Sequence, residues 1–257
     1  MRKLLRKLGL AEYGGDELLI AIVACGAAAL ALWLLNPLLA LLPLIPFAIV
    51  IWFFRDPERT GPTDENLLLA PADGTVTDIV EIDELEFICG KATRVGIFLS
   101  PFNVHVNRVP CAGTVRAVGY KTGEFLPAYN PEAPQRNESV SLGFETAGHV
   151  LLLVKQITGV LARRIVCETP PGTALTRGQR YGMIKFGSRT ELYIPTQWLA
   201  EVTVKIGDSV RGGQSVCCKL RTTPAEATRA DQFEGSAALA GPDPDKPHST
   251  TEQRVRE

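Results

Sequence analysis

The sequence is poor in the residues that build metal sites and disulfide frameworks. It has only three histidines, and none of its six cysteines forms a C-x-x-C pair. Protein zinc sites are built from clusters of such ligands, so the sequence predicts no metal site. Scattered single cysteines are typical of reduced thiols in a cytosolic compartment rather than of a disulfide framework.

The chain also lacks an excess of charge of one sign. Its 27 basic and 28 acidic residues nearly cancel, which gives no reason to expect a nucleic-acid partner. Beyond Arg221 the chain is rich in Ser, Thr, Pro, Ala and charge, with Phe233 as its one aromatic residue. Such a composition buries too little apolar area to offset chain entropy, so residues 222–257 are predicted to be a disordered tail.

The N-terminal region lacks charge over two long apolar runs, Leu18 to Leu35 and Leu38 to Phe54, separated only by Asn36-Pro37. One crossing of a bilayer needs about 20 helical residues. The two marginal runs therefore predict a helical hairpin within residues 1–54, which either dips into the membrane or crosses it twice.

Two other interpretations of these runs fit less well. A signal peptide has a single, shorter apolar stretch, and a buried core helix would show a polar face. Basic residues flank the hairpin on both sides, at Arg2 to Lys7 and at Arg55 and Arg59. The positive-inside tendency then predicts a location at the cytoplasmic face of the cell membrane.

Residues 55–221 are different, with short β-type runs and glycine-rich turns that predict a mainly β domain. The predicted strands include Arg94–Leu99, Val115–Tyr120, Val150–Ile157 and the alternating run Val202–Ile206. The phrase VKIGDSVRGGQSV is similar to half of a lipoyl- or biotinyl-carrier barrel sandwich, and APADGTV is similar to the opening of another such half. The predicted fold class is therefore mainly β and barrel-sandwich-like, with an apolar helical hairpin in front and a disordered tail behind.

Three polar residues of this domain are candidates for chemistry. His105, in LSPFNVHVNRVP, is either a hydrogen-bonded core histidine or a proton donor and acceptor. Asp73 is either an Asp-Gly turn residue or a carboxylate that orients a histidine. Ser188, directly after Gly187, is either a turn residue that enters a strand or a nucleophile that needs a base. It lacks the G-x-S-x-G elbow of an α/β-hydrolase.

Four blocks of the sequence together resemble one family. In chain order they are APADGTV (70–76), LSPFNVHVNRVP (99–110), QITGVLARRIVC (156–167) and YGMIKFGSRTELYIP (181–195). They are similar to the short, membrane-associated form of the phosphatidylserine decarboxylases, which are pyruvoyl-dependent enzymes made as proenzymes. The resemblance covers about residues 50 to 220, and the apolar hairpin agrees with it.

The resemblance implies that the chain cuts its own Gly187–Ser188 bond. The Ser188 hydroxyl would attack the Gly187 carbonyl, and Ser188 would become a covalent pyruvoyl cofactor, whose ketone serves as an electron sink. The products, 1–187 and 188–257, would form a heterodimer, and a homo-oligomer is left open. The implied substrate is phosphatidylserine in the membrane, which loses carbon dioxide to give phosphatidylethanolamine.

The resemblance also suggests roles for individual residues. Asp73 matches the family's catalytic aspartate. His105 matches a histidine that would serve in self-cleavage, in protonation after decarboxylation, or in both. Longer family members carry a second histidine three places further on, where this chain has Arg108. Arg189 or the pair Arg163-Arg164 is the candidate for binding the lipid phosphate.

Two other functions fit parts of the sequence. A non-enzymatic, membrane-tethered barrel-sandwich carrier would need a modifiable lysine at a hairpin tip, and an adaptor of that kind would need coiled-coil heptads; neither motif is present. A soluble pyruvoyl enzyme acting on a free amino acid would have no use for the apolar N-terminus. The self-processing decarboxylase accounts for more of the sequence than either.

Overall fold

The computed structural model describes residues 2–160, 164–185 and 188–223. The helices are α1 (Arg2–Lys7), α2 (Gly15–Leu35), α3 (Leu44–Phe53) and α4 (Ala133–Arg136). The strands are β1 (Leu67–Leu69), β2 (Gly74–Glu84), β3 (Gly90–Leu99), β4 (Val106–Arg108), β5 (Gly113–Lys121), β6 (Ser139–Glu145), β7 (Leu151–Ile157), β8 (Arg164–Cys167), β9 (Ala174–Leu175), β10 (Arg180–Lys185), β11 (Ser188–Pro195), β12 (Leu199–Val202), β13 (Ser209–Val210) and β14 (Val216–Leu220). The prediction of a mainly β fold is confirmed. Residues 224–257 of the predicted disordered tail lie outside the described residues.

The predicted helical hairpin is present as α2 and α3, which pack against each other across the connection 36–43. The segment Glu12–Leu35 has a mean hydropathy of 2.7 and is long and apolar enough to cross a membrane. The two ends of the hairpin meet at its base, where the Ala11 amide donates to the Phe54 carbonyl at 2.7 Å. At Gly14 an added Cβ would lie 2.1 Å from the Phe54 ring, so this close approach requires glycine.

The strands form three antiparallel sheets. The large sheet has the order β13-β2-β3-β11-β7-β6-β5-β9, and two smaller sheets have the orders β1-β14-β12 and β4-β10-β8. All three contribute side chains to one apolar core, for example Leu68 of β1, Val95 of β3 and Tyr181 of β10. The strands β10 and β11 are consecutive in the chain but belong to different sheets, and only two residues connect them.

The two phrases that resemble parts of a carrier domain pair with each other. Ser209 and Val210 of β13 lie opposite Thr75 and Gly74 of β2. Gly74 has a φ of 156°, and a Cβ there would lie 2.1 Å from the Phe98 carbonyl oxygen. Glycine is therefore required where Asp73 leads into β2.

One predicted strand is shorter than expected. The alternation of Val202, Val204 and Ile206 predicts one continuous strand, but β12 ends at Val202 and Ile206 is 64% exposed. A turn follows, in which the Asp208 side chain accepts from the Lys205 amide at 2.8 Å, and Gly207 has a φ of 94°. The turn chemistry therefore prevails over the period-two pattern.

The hairpin is docked onto the β domain by apolar packing and by ion pairs. Phe53 and Phe54 are buried together with Val106 of β4 and Met183 of β10, and with Val104, which precedes β4. Directly after the hairpin, the buried Asp56 carboxylate accepts from Arg108 at 2.8 Å and also from Arg180. These contacts fix the segment that joins the hairpin to the β domain.

Replacing Asp56 with asparagine should destabilise the protein strongly, because it leaves the buried Arg108 guanidinium without its charge partner. Breaking one side of a buried ion pair costs about 3–5 kcal/mol. The free energy of unfolding can be measured by denaturant titration in detergent, in a Ser188→Ala background that keeps the chain uncut. Asp83→Asn, at an exposed position of β2, should change it by less than about 0.5 kcal/mol. Equal effects of the two substitutions would contradict the role given to Asp56.

Candidate functional site

Ser188 is the first residue of β11, and it is fully buried. It lies opposite Leu99, the last residue of β3. Among the described residues the Ser188 hydroxyl has no hydrogen-bond partner. A buried hydroxyl without a partner is costly in a folded protein and is a frequent sign of a chemical role. Gly187, the other half of the predicted cleavage site, lies outside the described residues, as does Phe186.

The alternation of side chains along two strands brings His105 and Ser188 to the same side. Thr190 of β11 accepts a hydrogen bond at 3.0 Å from Asn107 of β4, so these two side chains face each other. Successive residues of a strand point to opposite faces, so Ser188 shares the face of Thr190. His105 lies two residues before Asn107, directly before the first residue of β4, and we infer from this spacing that it shares the side of Asn107.

The register of β10 agrees with this placement. Met183 lies opposite Val106, and the Ile184 amide donates to the His105 carbonyl at 3.3 Å. Only three residues separate Ile184 from Ser188, so the His105 backbone lies next to the end of β10 from which the chain leads to Ser188.

The end of the apolar hairpin covers His105. The Phe53 ring, at the last residue of α3, packs on the imidazole with centroids 4.4 Å apart. His105 is fully buried, and this burial lowers its pKa to about 4. A hydrogen bond with the Asn103 backbone raises this pKa, and so does the negative charge of the Asp73 carboxylate. The positive charge of Arg55 lowers it further. The imidazole is therefore neutral at physiological pH and able to accept a proton.

Asp73 lies on the other side of β3 from Ser188. It leads into β2, whereas Ser188 begins β11, and β3 runs between these two strands. Neighbouring strands are about 4.8 Å apart, so the two backbones are separated by roughly 10 Å. The Asp73 carboxylate accepts two hydrogen bonds from Arg59 and one from the Gly212 amide at 2.8 Å. It affects His105 through its charge.

A buried amide network supports the strand that carries Ser188. Gln156 of β7 donates to Asn107 at 2.7 Å, and Asn107 donates in turn to Thr190. All three side chains are fully buried. The two hydrogen bonds connect β7, β4 and β11 through their side chains, and such buried contacts favour one arrangement of the strands they join.

The arginines that the sequence suggested for phosphate binding have different surroundings. Arg189 is buried, and its guanidinium donates to Glu191 at 2.7 Å, to Thr77 at 2.8 Å and to Asp78. This side chain is thus occupied by structural contacts. Arg164 is exposed at the start of β8, and Arg163 lies outside the described residues.

Arg108, which replaces the second histidine of longer family members, has a structural partner. Besides Asp56 it donates to the Pro57 carbonyl at 2.8 Å and to the Gly178 carbonyl at 3.2 Å. The substitution therefore fastens the segment after the hairpin to the β domain.

Sequence reasoning missed one ion pair beside the predicted cleavage site. Lys185, three residues before Ser188, is buried and donates to Glu17 in the first turn of α2 at 2.5 Å. The apolar helix α2 thus begins beside the segment that leads to Ser188. Sequence reasoning also missed the contacts of Arg59 with Asp73 and of Phe53 with His105, because the two partners of each contact are far apart in the chain.

The residues present fit a pyruvoyl group derived from Ser188. The side chain is fully buried, its hydroxyl is uncommitted among the described residues, and the facing histidine is neutral. A dry site of this kind protects a reactive ketone and its precursors from side reactions with water. Such a site defines an enzyme rather than a carrier module.

Comparison with known proteins specifies this enzyme class further. The family model for phosphatidylserine decarboxylase matches residues 47–218. The phosphatidylserine decarboxylase proenzyme of Carboxydothermus hydrogenoformans is 44% identical over 200 residues, covering 78% of this chain and 93% of the relative. The proenzymes of Symbiobacterium thermophilum (45% over 201 residues, 78% and 91% covered) and Rhodopirellula baltica (41% over 217 residues, 84% and 88% covered) are similar. This chain belongs to the phosphatidylserine decarboxylase family.

The lowered pKa of His105 can be tested directly, because the chain has only two other histidines. In the uncut Ser188→Ala protein, histidine-labelled NMR should show the His105 imidazole protonating with a midpoint near pH 4. The free imidazole has a pKa of about 6.5, so the fold loses stability as the pH falls from about 6.5 to about 4.

Phe53→Ala is the matched change, because it removes the ring that covers His105. Water then reaches the imidazole, and the midpoint should move upward towards about 6.5. His105→Gln assigns the signal. A midpoint near the free value in the Ser188→Ala chain would show that His105 is not buried as described.

Proposed function

We propose that this protein is a phosphatidylserine decarboxylase that makes its own pyruvoyl group from Ser188. It is a carboxy-lyase that converts phosphatidylserine to phosphatidylethanolamine with release of carbon dioxide. The observation that carries the proposal is the buried Ser188 hydroxyl, which has no hydrogen-bond partner within residues 2–160, 164–185 and 188–223. Ser188 follows a two-residue connection between two sheets, on the side where we place a neutral histidine.

The first step of self-cleavage is an attack of the Ser188 hydroxyl oxygen on the Gly187 carbonyl. Neutral His105 takes the hydroxyl proton and returns it to the departing amide nitrogen, so that an ester replaces the peptide bond. Loss of the Ser188 Cα proton then breaks the Cβ–O bond and releases the Gly187 carboxylate. Water adds to the remaining dehydroalanine, ammonia leaves, and a ketone remains at residue 188.

When formed, the pyruvoyl ketone supplies an electron sink for the electrons left by the departing carboxylate. The protein's own contribution is positioning and proton transfer. Phe53 excludes water from His105, which is placed to move protons in self-cleavage, in the protonation that follows decarboxylation, or in both. Arg59 keeps the Asp73 carboxylate near this histidine.

The apolar hairpin gives the enzyme access to its lipid substrate. We place the protein at the cytoplasmic face of the cell membrane, because basic residues lie on both sides of the hairpin and its two ends meet at its base. The substrate phosphatidylserine lies in the same membrane. The products 1–187 and 188–257 form a heterodimer, since the strands after Ser188 pair with strands before it.

Intact mass and a denaturing gel test this function. The purified protein should consist of chains 1–187 and 188–257, with the smaller chain lighter by one ammonia than a serine-initiated chain and without a free amine. It should release carbon dioxide from phosphatidylserine. Ser188→Ala should give one uncut chain, and its activity should fall by at least about a thousandfold, because the reactive group cannot form.

Ser139→Ala is the matched control. Ser139 is also buried and lies at the same end of the large sheet, on β6, two strands from β11. This variant should cut itself and retain activity. An uncut wild-type chain would favour the alternative function, a membrane-tethered carrier or adaptor module, which runs as one chain whatever residue occupies position 188.

The ion pair between Lys185 and Glu17 should set the rate of self-cleavage. Lys185→Met and Glu17→Gln each leave one buried or half-buried charge without its partner and loosen the segment before Ser188, so we expect cleavage to slow about tenfold or more. Cleavage can be followed by pulse labelling during cell-free synthesis with detergent.

The exchanged pair, Glu17→Lys with Lys185→Glu, should recover part of the lost rate. Lys91→Met, at the exposed start of β3, is the control and should cleave at the wild-type rate. Normal cleavage in both single variants would show that the hairpin does not assist processing through this pair.

A further inference from the structure

The strands that surround Ser188 end at one edge of the large sheet. Pairing runs from Lys121 to Ser139, from Ser139 to Ile157, from Ile157 to Arg189 and from Arg189 to Phe98. These residues form one row across β5, β6, β7, β11 and β3. Ser188 lies one residue beyond this row. The connections that leave the five strands at this edge therefore lie on the same side of the sheet as Ser188.

Exposed apolar side chains are concentrated at this edge. After the hairpin, the described residues include eight large apolar side chains that are exposed. Three lie elsewhere: Val80, Leu85 and Ile206. The other five lie in or beside the connections at the Ser188 edge, and we call them the apolar rim: Phe102, Tyr120, Phe125, Tyr129 and Val160. Concentration of this kind marks an interaction surface rather than scattered exposure.

The apolar rim is continuous with the end of the membrane hairpin. The Phe102 ring lies 5.9 Å from the ring of Trp52 in the last turn of α3. The Arg55 guanidinium lies 4.0 Å from the centre of the Trp52 ring and donates to the Phe102 carbonyl at 2.6 Å. Tryptophan and arginine at the end of an apolar helix are typical of the boundary between lipid tails and headgroups. Phe102 therefore lies at the depth of that boundary.

The long connection between β5 and β6 extends the rim across the same edge. Tyr129 is 73% exposed, and its ring meets the Phe98 ring of β3 edge-on at 6.4 Å. This contact brings the connection over the end of β3, towards Phe102. The charges of the connection are partly neutralised internally, since Arg136 donates to both Glu124 and Glu132. Its exposed apolar side chains therefore lie beside charges that are already paired with each other.

We propose that the apolar rim is a second membrane-contact surface, which inserts into the headgroup region of a phospholipid bilayer beside the hairpin. It would place the Ser188 edge at the level of the lipid headgroups, so that a phospholipid reaches Ser188 without leaving the membrane. The inference rests on the proposed function, in that the pyruvoyl group forms at Ser188 and the hairpin lies in the membrane. Interfacial aromatic side chains bind such a boundary through both their apolar bodies and their polar tips.

The test compares a bilayer substrate with a dissolved one in the full-length protein. Phe102→Ser combined with Tyr129→Ser should leave self-cleavage complete and should change activity on monomeric short-chain phosphatidylserine by less than about twofold. Activity on long-chain phosphatidylserine in vesicles should fall at least about tenfold, through a higher KM rather than a lower kcat. Leu85→Ser, at a 76% exposed position at the opposite end of β3, is the control and should change neither activity.

A second measurement does not depend on activity. A photo-crosslinking amino acid at position 102 or 129 should form an adduct with vesicle phospholipid, identified by mass, whereas the same amino acid at position 85 should not. Adducts between two copies of the chain would make the rim a protein interface and overturn the proposal, and so would lipid adducts at none of the three positions.

The outcomes separate this proposal from the proposed function. A wild-type chain that neither cleaves nor releases carbon dioxide from either substrate removes the function itself. A wild-type chain that cleaves and acts on both substrates, together with a rim variant that is equally active on vesicles, removes only the membrane role of the rim.

Discussion

The short connection between β10 and β11 is the constraint on which the rest of the site depends. Two residues carry the chain from one sheet to another, and both strands are held by pairing up to the residues that border the connection, Lys185 on one side and Ser188 on the other. The proposed cleavage site, Gly187–Ser188, therefore lies between two strand ends that are both held by pairing. If the bond lay in a mobile loop, bringing the reacting groups together would cost a large amount of entropy. Two held strand ends lower this cost.

The same pairing explains how a cut chain can remain one protein. From Ser188 to Pro195, β11 pairs with β3, and β13 and β14 pair with β2 and β1. The smaller product would therefore contribute the central strand of the large sheet as well as strands to its edge and to a second sheet. Breaking one bond between β10 and β11 removes none of these hydrogen bonds.

The hairpin is part of the candidate site as well as an apolar extension of the β domain. Phe53 covers His105, Glu17 pairs with Lys185, and Asp56 joins the following segment to Arg108. A membrane anchor connected by a flexible linker would leave the histidine open to water and its pKa near the ordinary value. The hairpin and the surroundings of Ser188 are therefore linked through the same few contacts.

Local sequence patterns predicted the helices and strands of this fold better than the tertiary contacts between them. The two apolar runs and the glycine-rich β-type runs were sufficient for the hairpin and the mainly β domain, and His105 and Ser188 were found from their own sequence blocks. The contacts of Arg59 with Asp73 and of Asn107 with Thr190 depend on how sheets pack, which no local period encodes. Val204 and Ile206 were misplaced because a turn with its own hydrogen bonds follows β12.

The alternation along β11 shows why the register of this strand is fixed. Thr190 faces the amide network, and Leu192 and Ile194 on the same face enter the main core. On the opposite face Arg189 donates to Glu191, and Tyr193 donates to the same carboxylate at 2.5 Å. A slip by one residue would exchange these faces, placing buried charges in the apolar core and turning the Ser188 hydroxyl away from His105. The charged face of the strand therefore matters for the proposed chemistry, since it keeps Ser188 on the face that it shares with Thr190.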